Sequence, residues 1–265
     1  MSVGVTRRFV PVPGGEIHCA VAGEGRSILL LHQTPRSWDE YRDVLPILGE
    51  HFRAIAMDTI GFGDSSKPPL GEDSIERWAA VAVSFLDALE IERTAVIGHH
   101  TGAVIAVELA ASYAERIEAA VLSSAPFVDA EYRAAHSGRA VVDEVERKPD
   151  GSHLAELWRL RMPFYPEGDI DLLERFVVDA LKAGPRAAEG HRVVARYEME
   201  TKLPLVRCPV LLVAAGDDPL AYPFVQPLAE RLPQSRVAEI PGGMVPLPDQ
   251  LPAEFAAAVI EFLGA

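Results

Sequence analysis

The residues best suited to chemistry lie in a short glycine-bounded segment near the middle of the chain. Residues 98–102 read GHHTG; they follow the apolar run Thr94–Ile97 and precede a helical pattern. A central residue with glycine two positions away on each side is typical of a sharp strand-to-helix turn that exposes a nucleophile. The central residue here is His100, and a neutral imidazole is both a base and a nucleophile. This segment therefore predicts catalysis by His100, in place of a hydroxyl, a thiol or a carboxylate.

The spacing of the other potential ligand residues does not favour a metal or cofactor site. His99 and His100 are adjacent on a turn and point apart, and no carboxylate stands at a recognisable ligand spacing from them or from His32. We therefore expect no metal, and we expect His99 to pack beneath the sheet. Cys19 and Cys208 form no CxxC pair, which predicts two reduced thiols. No glycine loop of the phosphate-cradling kind occurs, so no cofactor is expected.

The composition excludes several classes of protein. The 265 residues include 25 Lys and Arg against 39 Asp and Glu, which gives a formal charge of −14. Such a chain repels nucleic-acid phosphates unless it has a segregated basic stripe, and the sequence shows none. No run reaches the ~18 apolar residues of a membrane span, and no signal peptide is recognisable. We therefore expect a small-molecule partner and a cytoplasmic location, and the sequence leaves a homodimer open.

The elements that must position His100 alternate between strands and helices. Short β-rich runs, several of them continuously apolar, are typical of a parallel sheet covered on both faces. The predicted strands are Arg8–Val12, Glu16–Val21, Ser27–Leu31, Ala54–Met57, Thr94–Ile97, Ala119–Leu122, Val210–Ala214 and Ser235–Glu239. The helices predicted between them are Ser37–Leu48, Ser74–Leu89, Gly102–Tyr113, Pro223–Leu232 and Pro252–Leu263. This order predicts an α/β fold with its site at the carboxyl ends of the strands.

One segment interrupts the alternation. No strand is predicted over residues 127–203, where the patterns are helical instead. The helices predicted there are Glu131–Glu146, Asp171–Ala183 and Pro185–Glu198. A helical insertion at the ligand-binding end of a sheet acts as a lid, and the alternative is an excursion that lines nothing. We therefore predict a core formed by residues 1–126 and 204–265, with residues 127–203 as a helical cap.

Four motifs, in their order along the chain, resemble those of the α/β-hydrolase superfamily. Residues 32–35 (HQTP) are similar to its HG-x-P oxyanion loop, and residues 58–65 (DTIGFGDS) are similar to its D-x-x-G-x-G-x-S segment. Residues 215–219 (AGDDP) follow a strand where the family keeps its acid, and residues 241–244 (PGGM) follow the last strand, where it keeps its histidine. The resemblance covers nearly the whole chain. It implies an α/β-hydrolase fold, with a mostly parallel eight-stranded sheet flanked by helices and a helical lid.

The resemblance assigns roles to single residues, and the sequence departs from the family at the central ones. The acid falls on Asp218, and the backbone N–H groups that stabilise an oxyanion fall on Gln33 and Thr101. Gln33 itself replaces the usual glycine of its loop. His100 stands in place of the usual nucleophile and Met244 in place of the base histidine, and no histidine follows the cap segment. An ordinary Ser-His-Asp relay is therefore not encoded.

Two hypotheses for the function follow. The first is an enzyme acting on a small, fairly apolar carbonyl-type substrate, by ester, lactone or thioester hydrolysis or by a lyase-type reaction, with His100 as base or nucleophile. In this hypothesis Asp218 either orients the His100 ring or is solvated. The second is a catalytically silent ligand-binding or regulatory protein that has kept the pocket. We expect His32, Trp38 and Met244 at the pocket; the alternative for His32 is to brace the oxyanion loop, and that for Trp38 is a surface position.

Overall fold

An eight-stranded sheet forms the centre of the computed structural model, which describes residues 3–139 and 141–264. The strands are β1 (Thr6–Val12), β2 (Gly15–Ala22), β3 (Ser27–Leu31), β4 (Arg53–Met57), β5 (Thr94–His99), β6 (Ile117–Ser123), β7 (Val210–Ala215) and β8 (Ser235–Ile240). All eight predicted strands are confirmed, and their ends differ from the predicted ones by two residues or fewer.

The topology of the sheet places several loops at one edge. The strand order is β1-β2-β4-β3-β5-β6-β7-β8. β2 runs antiparallel to β1 and β4, and from β4 to β8 every pairing is parallel. The central strands β5 and β7 are buried along their whole length, which explains their continuous apolar sequences. Because the carboxyl ends of parallel strands meet at the same edge, residues 32–35, 98–102 and 215–219 come together there.

Helices cover both faces of the sheet. The described helices are α1 (Leu45–Leu48), α2 (Ile75–Ala88), α3 (Thr101–Ser112), α4 (Ala130–His136), α5 (Ser152–Arg161), α6 (Ile170–Ala183), α7 (Arg186–Val194), α8 (Met199–Lys202), α9 (Val225–Arg231), α10 (Leu247–Gln250) and α11 (Pro252–Gly264). α2 and α3 pack on one face around Trp78 and Phe85, and α1 and α11 pack on the other around Tyr41 and Phe255. None of the described helices is both long and apolar enough to span a bilayer.

One predicted core helix divides into two pieces. The pattern over Ser37–Leu48 predicts a single helix, but the structure has a short 3₁₀ turn at Trp38–Tyr41 and then α1. Pro46 lies at the start of α1 and has no N–H to donate to the preceding turn. A continuous helix through this position is therefore unfavourable.

Between β6 and β7 the described residues form helices α4 to α8 and no strand. α4 is shorter than the predicted helix over residues 131–146, because Ser137 has an extended backbone and Gly138 has a positive φ of 69°. α5 is not predicted, since its buried positions form no clear apolar stripe. α6 agrees with its prediction, and Asp169 caps its N-terminus by accepting from the Leu172 N–H. These helices lie within the predicted cap, residues 127–203.

Candidate active site

His100 occupies the turn between β5 and α3 in a conformation that few side chains adopt. Its φ and ψ angles are 46° and −110°, and such a conformation costs a non-glycine residue about 1–3 kcal/mol. The flanking glycines make the turn possible. A Cβ on Gly98 would lie 2.1 Å from the Gly102 oxygen, and one on Gly102 would lie 1.9 Å from the Leu31 oxygen. The GHHTG spacing is thus a steric requirement of the turn that places His100 at a cavity.

Asp218 lies beside His100 and is held by the loop that follows β7. Its Oδ2 is 2.8 Å from Nε2 of His100, which is an ion-pair distance, although the angle departs from that of an aligned hydrogen bond. Its Oδ1 accepts hydrogen bonds from the N–H groups of Leu220 and Ala221 at 2.9 and 3.2 Å. Burial alone would raise the pKa of Asp218, but the His100 ring and the Leu220 amide lower it to about 2. The two residues form a dyad, and that name is used below for His100 and Asp218.

His99 is fully buried under the turn. Its Nδ1 lies 2.9 Å from Oγ of Ser123, and its Nε2 lies 2.7 Å from the carbonyl oxygen of Val245. Because a carbonyl oxygen only accepts, Nε2 carries the proton and Nδ1 accepts from the Ser123 hydroxyl. Burial lowers the pKa of His99 to about 3, so the ring is neutral. His99 therefore joins β5, β6 and the loop after β8, which is the packing role expected for it.

The backbone N–H of Gln33 is not available to an oxyanion. It donates to Oε2 of Glu40 at 2.9 Å, and the side-chain amide of Gln33 donates to Oε1 of the same residue at 2.6 Å. Glu40 is fully buried, and burial raises its pKa to about 8. The prediction that Gln33 supplies an oxyanion donor is therefore wrong, because a buried carboxyl group already satisfies that N–H.

Thr34 and Thr101 both line the cavity, and their backbone N–H groups are the remaining candidate donors to an oxyanion. The N–H of Thr34 donates only a long hydrogen bond of 3.3 Å to Oγ1 of Thr101, which an oxyanion at the cavity would replace. Thr101 is the first residue of α3, and the first N–H groups of a helix have no partner within it and favour negative charge. The sequence does not identify Thr34 as a donor. The HQTP motif identifies the loop, but it does not show that Glu40 accepts the N–H of Gln33.

Two of the predicted pocket residues lie away from the cavity. Nε2 of His32 accepts from the N–H of Thr59 at 2.9 Å, and its Nδ1 lies 2.8 Å from the Gln33 carbonyl oxygen. His32 therefore braces the oxyanion loop, which is the alternative considered for it. The N–H of Trp38 donates to Oδ1 of Asp58 at 2.7 Å, and its ring packs against side chains of β1 and β2. The pocket assignment is wrong for both, because these contacts hold them on the other side of the loop.

Met244 is the third predicted pocket residue, and it too lies outside the cavity lining. Its N–H donates to Oε1 of Gln250 at 2.7 Å, and its side chain is half-buried. Val245 lines the cavity instead. The reason is the hydrogen bond from His99 to the Val245 carbonyl, which fixes the path of the loop after β8.

A cavity of about 820 Å³ lies between the core and the cap, next to the dyad. Apolar side chains such as Phe164 and Phe224 form part of its wall. The arginines and histidines that line it are His100, Arg133, His136, Arg139, Arg161, His191, Arg192 and Arg196. Among the described residues, no Asp or Glu belongs to the lining. The sequence does not predict this basic wall, because helical periodicity in the cap does not say which face meets the core.

A buried arginine fastens the cap to the core beside this cavity. Arg36 follows the oxyanion loop and is fully buried. Its Nε donates to Oδ2 of Asp179 in α6 at 2.9 Å, and its Nη1 donates to Oδ2 of Asp249 in α10. Burial raises the pKa of Asp249 to about 6, against the opposing effect of Arg36. One side chain thus connects three separate segments around the site.

Within the described part of the chain, one group of side chains has the spacing of a metal site: His18, Asp58 and Asp64. Hydrogen bonds account for this arrangement. Nδ1 of His18 lies 2.9 Å from Oδ2 of Asp58, and the N–H of Asp64 donates to the same oxygen at 2.8 Å. The Lys182 ammonium pairs with Asp64 at 2.9 Å. This group organises the loop after β4, and none of its members lines the cavity.

The family model described as alpha/beta hydrolase fold matches residues 26–244. Bifunctional epoxide hydrolase 2 of Mus musculus is 36% identical over 127 residues, which are 47% of this chain and 23% of that protein. The soluble epoxide hydrolase of Corynebacterium sp. is 37% identical over 119 residues, 44% of this chain and 41% of that protein. The matched part of this chain thus spans less than half the length of either relative.

Two further similarities extend over nearly the whole chain. Haloalkane dehalogenase 2 of Mycobacterium tuberculosis is 27% identical over 271 aligned positions, which cover 94% of this chain and 92% of that protein. The crystal structure of the enol-lactonase from Burkholderia xenovorans LB400 superimposes with a TM-score of 0.79 at 22% identity, covering 97% of this chain and 100% of that one. With the sheet order and the family match, these similarities show that the chain belongs to the α/β-hydrolase fold family.

Proposed function

We propose that this chain is a hydrolase that uses His100 as a general base or nucleophile on a small carbonyl-type substrate. The observation that carries the proposal is the dyad, in which Nε2 of His100 lies 2.8 Å from Oδ2 of the buried Asp218. A carboxylate beside Nε2 favours the tautomer with the proton on that nitrogen. The lone pair of Nδ1 then remains to accept a proton or to attack a carbon atom. His100 lines the cavity, so the substrate reaches it there.

In the general-base version, Nδ1 of His100 takes a proton from water while the water oxygen attacks the substrate carbonyl carbon. The carbonyl oxygen becomes an oxyanion, which the N–H groups of Thr34 and Thr101 stabilise. When the tetrahedral intermediate collapses, the bond to the leaving group breaks and the leaving group takes the proton from the imidazolium. Asp218 stabilises the imidazolium between the two steps.

In the nucleophilic version, Nδ1 of His100 forms a bond to the carbonyl carbon, and the leaving group departs with its bonding electron pair and takes a proton from water. Water then hydrolyses the resulting acyl-imidazole and regenerates His100. A lyase-type reaction uses the same residues differently. His100 removes a proton from the carbon beside the carbonyl, and the two N–H groups stabilise the enolate oxygen; the enolate then re-forms the carbonyl as the bond to a leaving group on the next carbon breaks, and His100 returns the proton to that group.

The relatives support the hydrolytic class. They are named for the hydrolysis of epoxides and the dehalogenation of haloalkanes. Another relative, from Pseudomonas putida, is 32% identical over 121 residues and is named 2-hydroxy-6-oxo-2,4-heptadienoate hydrolase. Those substrates belong to those proteins. For this chain we propose a carbonyl substrate, because the N–H groups of Thr34 and Thr101 are the kind of donors that stabilise a carbonyl-derived oxyanion.

The test is turnover of a panel of short esters, lactones and thioesters in ¹⁸O-labelled water. Hydrolysis places the label in the acid product, and a lyase reaction does not. We expect His100→Ala to abolish turnover and Asp218→Asn to lower kcat by ~10²–10⁴-fold, since asparagine keeps the shape but not the charge. A pre-steady-state burst of leaving group then separates the versions, because only the nucleophilic one releases the leaving group before water reacts. Unchanged turnover in a folded His100→Ala variant would overturn the proposal.

A catalytically silent ligand-binding protein is the second candidate. It is favoured by the loop after β8, where Met244 stands in place of a base histidine and lies outside the cavity lining. This candidate predicts no turnover on the whole panel, together with an increase in Tm when a panel compound is added. One substrate turned over by the unmodified chain and not by His100→Ala excludes it.

A further inference from the structure

The cap holds a second polar cluster, which the proposed reaction leaves unused. Asp143 is buried and bridges two partners. Arg161 donates to its Oδ1 through Nε at 2.7 Å and to its Oδ2 through Nη2, and Nε2 of His191 lies 2.6 Å from the same Oδ2. Arg161 and His191 line the cavity, and Asp143 does not belong to the lining. The carboxylate therefore stands behind the Arg161 guanidinium and the His191 ring, both of which meet the cavity.

Arg161 is held in one orientation with a nitrogen left over. Its side chain is only 2% exposed, and its guanidinium lies over the Phe176 ring at 4.6 Å. Asp143 occupies Nε and Nη2, whereas Nη1 has no acceptor among the described residues. A guanidinium keeps its charge and its five N–H donors at any ordinary pH. A buried, oriented guanidinium with a free nitrogen at a cavity is suited to bind an oxyanion.

The charged side chains of the cavity wall also favour an anion site. They are all arginines, in a chain whose formal charge is −14. The carboxylates that pair with these arginines, such as Glu200 with Arg133, are themselves outside the lining. A ligand in the cavity therefore meets hydrogen-bond donors from the cap and no carboxylate within the described lining.

The cluster is close to the oxyanion loop, because α7 packs directly on that loop. A Cβ on Gly190 would lie 2.3 Å from Cγ2 of Thr34. His191 is the next residue of α7, and the N–H of Thr34 contacts Thr101 beside His100. A single small molecule can therefore place one end at Thr34 and Thr101 and its other end at the cap cluster.

We propose that Arg161, held by Asp143, binds a carboxylate group of the substrate. The substrate is then an ester, lactone or thioester that carries a free carboxylate remote from the bond that breaks. The identity of the reacting bond rests on the proposed function, but the anion site itself does not. The same donors also fit inorganic phosphate, so the test includes both anions.

The first measurement is binding, which needs no turnover. Calorimetry compares pentanoate, pentanamide and inorganic phosphate as probes on the full chain. We expect pentanoate to bind about 10- to 100-fold more tightly than pentanamide, as for a hydrogen bond to a charged group, and more tightly than phosphate. Arg161→Met should remove the preference for pentanoate. Arg159→Met is the matched control, since Arg159 lies on the same helix, is exposed and does not line the cavity.

The second measurement is turnover of two 4-nitrophenyl esters of equal length, one of glutaric acid with its free carboxylate and one of pentanoic acid. We expect the ratio of their kcat/KM values to favour the charged ester by about 10-fold or more and to fall to about 1 in Arg161→Met. Arg161→Met leaves the buried Asp143 with one partner fewer. If this variant does not fold, the double variant Arg161→Met/Asp143→Asn is measured in its place.

The outcomes separate the two proposals. Equal binding of pentanoate and pentanamide, tighter binding of phosphate, or a preference that survives in both variants overturns the carboxylate site. Turnover of both esters without a preference also overturns it and leaves the proposed function standing. The proposed function is overturned, and the carboxylate site stands, if carboxylate binding depends on Arg161 but no ester, lactone or thioester is turned over.

Discussion

The backbone strain at His100 is tied to its Cβ atom. The residue has a φ of 46°, which glycine adopts without strain and alanine does not. The strain is therefore a cost that any side chain at this position incurs. The surrounding contacts maintain it, because Gly98 and Gly102 pack against backbone atoms with no room for a Cβ. A strained residue at the mouth of a cavity is the pattern expected where function selects the side chain.

This separates the chemistry of His100 from its effect on stability. We expect His100→Gly and His100→Ala both to lose turnover, and both variants leave the buried Asp218 without its partner. We expect His100→Ala to be less stable than His100→Gly by about 1 kcal/mol, since it keeps the Cβ. Urea denaturation measures both. Added imidazole should restore part of the turnover of His100→Gly, and a glycine variant less stable than the alanine variant would contradict the strain.

Residue roles were predictable where chain order determines position. His100 and Asp218 each follow a parallel strand, so the fold alone brings them to one edge of the sheet. Gln33 and Met244 were misassigned because their roles depend on partners that no motif specifies. Glu40 takes the N–H of Gln33, and Gln250 takes the N–H of Met244. A hydrogen bond between two loops is a tertiary contact, and local sequence carries no signal for it.

At the level of elements, His99 joins two strands and the last loop through a neutral ring. Its folded pKa of about 3 lies below the ordinary value of ~6.5. Between these values the unfolded chain binds a proton at this ring and the folded chain does not. The free energy of unfolding therefore falls as the pH falls below ~6.5, by up to ~1.4 kcal/mol per pH unit.

Replacing His99 should remove this part of the acid sensitivity. We expect His99→Asn to be less stable at neutral pH by about 1–3 kcal/mol, because Ser123 and Val245 lose their partner. Its stability should then decline less steeply from pH 6.5 to pH 4. His51→Asn is the control, since His51 is exposed and should leave the profile unchanged. Denaturant titrations at several pH values measure this, and a slope equal to that of the unmodified chain would argue against a buried neutral ring.

The attachment of the cap to the core depends on the buried side chain of Arg36. We expect Arg36→Met to lower the free energy of unfolding by about 3–5 kcal/mol, because Asp179 and Asp249 lose a buried partner. Arg42→Met is the control: its side chain is 53% exposed, and an exposed pair contributes about 0–1 kcal/mol. Limited proteolysis should also cut α6 faster in Arg36→Met. A variant within 1 kcal/mol of the unmodified chain would show that the cap is held by its apolar contacts instead.

The elements of the core were more predictable than those of the cap. Strands such as β5 and β7 are buried on both faces, so their composition alone marks them. In the cap, α5 carries Arg161 at its buried end, where a charged residue breaks the apolar pattern. That arginine is buried because Asp143 lies beside it, 18 residues earlier in the chain. A pair of this kind forms only when the helices pack together, and the same is true of the basic wall of the cavity.

At the scale of the whole molecule, the negative net charge of the chain contrasts with the basic side chains that line the cavity. The chain carries a formal charge of −14, and its cavity is lined by arginines and histidines without an acidic residue among those described. A field of this sign repels an anion at long range. The buried contacts to Arg161 act only at short range, where solvent screens them little. Approach and binding of an anionic substrate should therefore respond differently to salt.

For a carboxylate-bearing ester we expect kcat/KM to rise as salt is added from low ionic strength. The Debye length falls from ~30 Å at 0.01 M to ~8 Å at 0.15 M, so the repulsion from the distributed surface charge is screened first. The neutral ester of equal length should show little change. Initial rates of both esters across this range measure the effect, with Arg159→Met expected to follow the unmodified chain. A fall in kcat/KM for the charged ester alone would mean that the cavity arginines already dominate its approach, so that the net charge of −14 has no part in selecting the substrate.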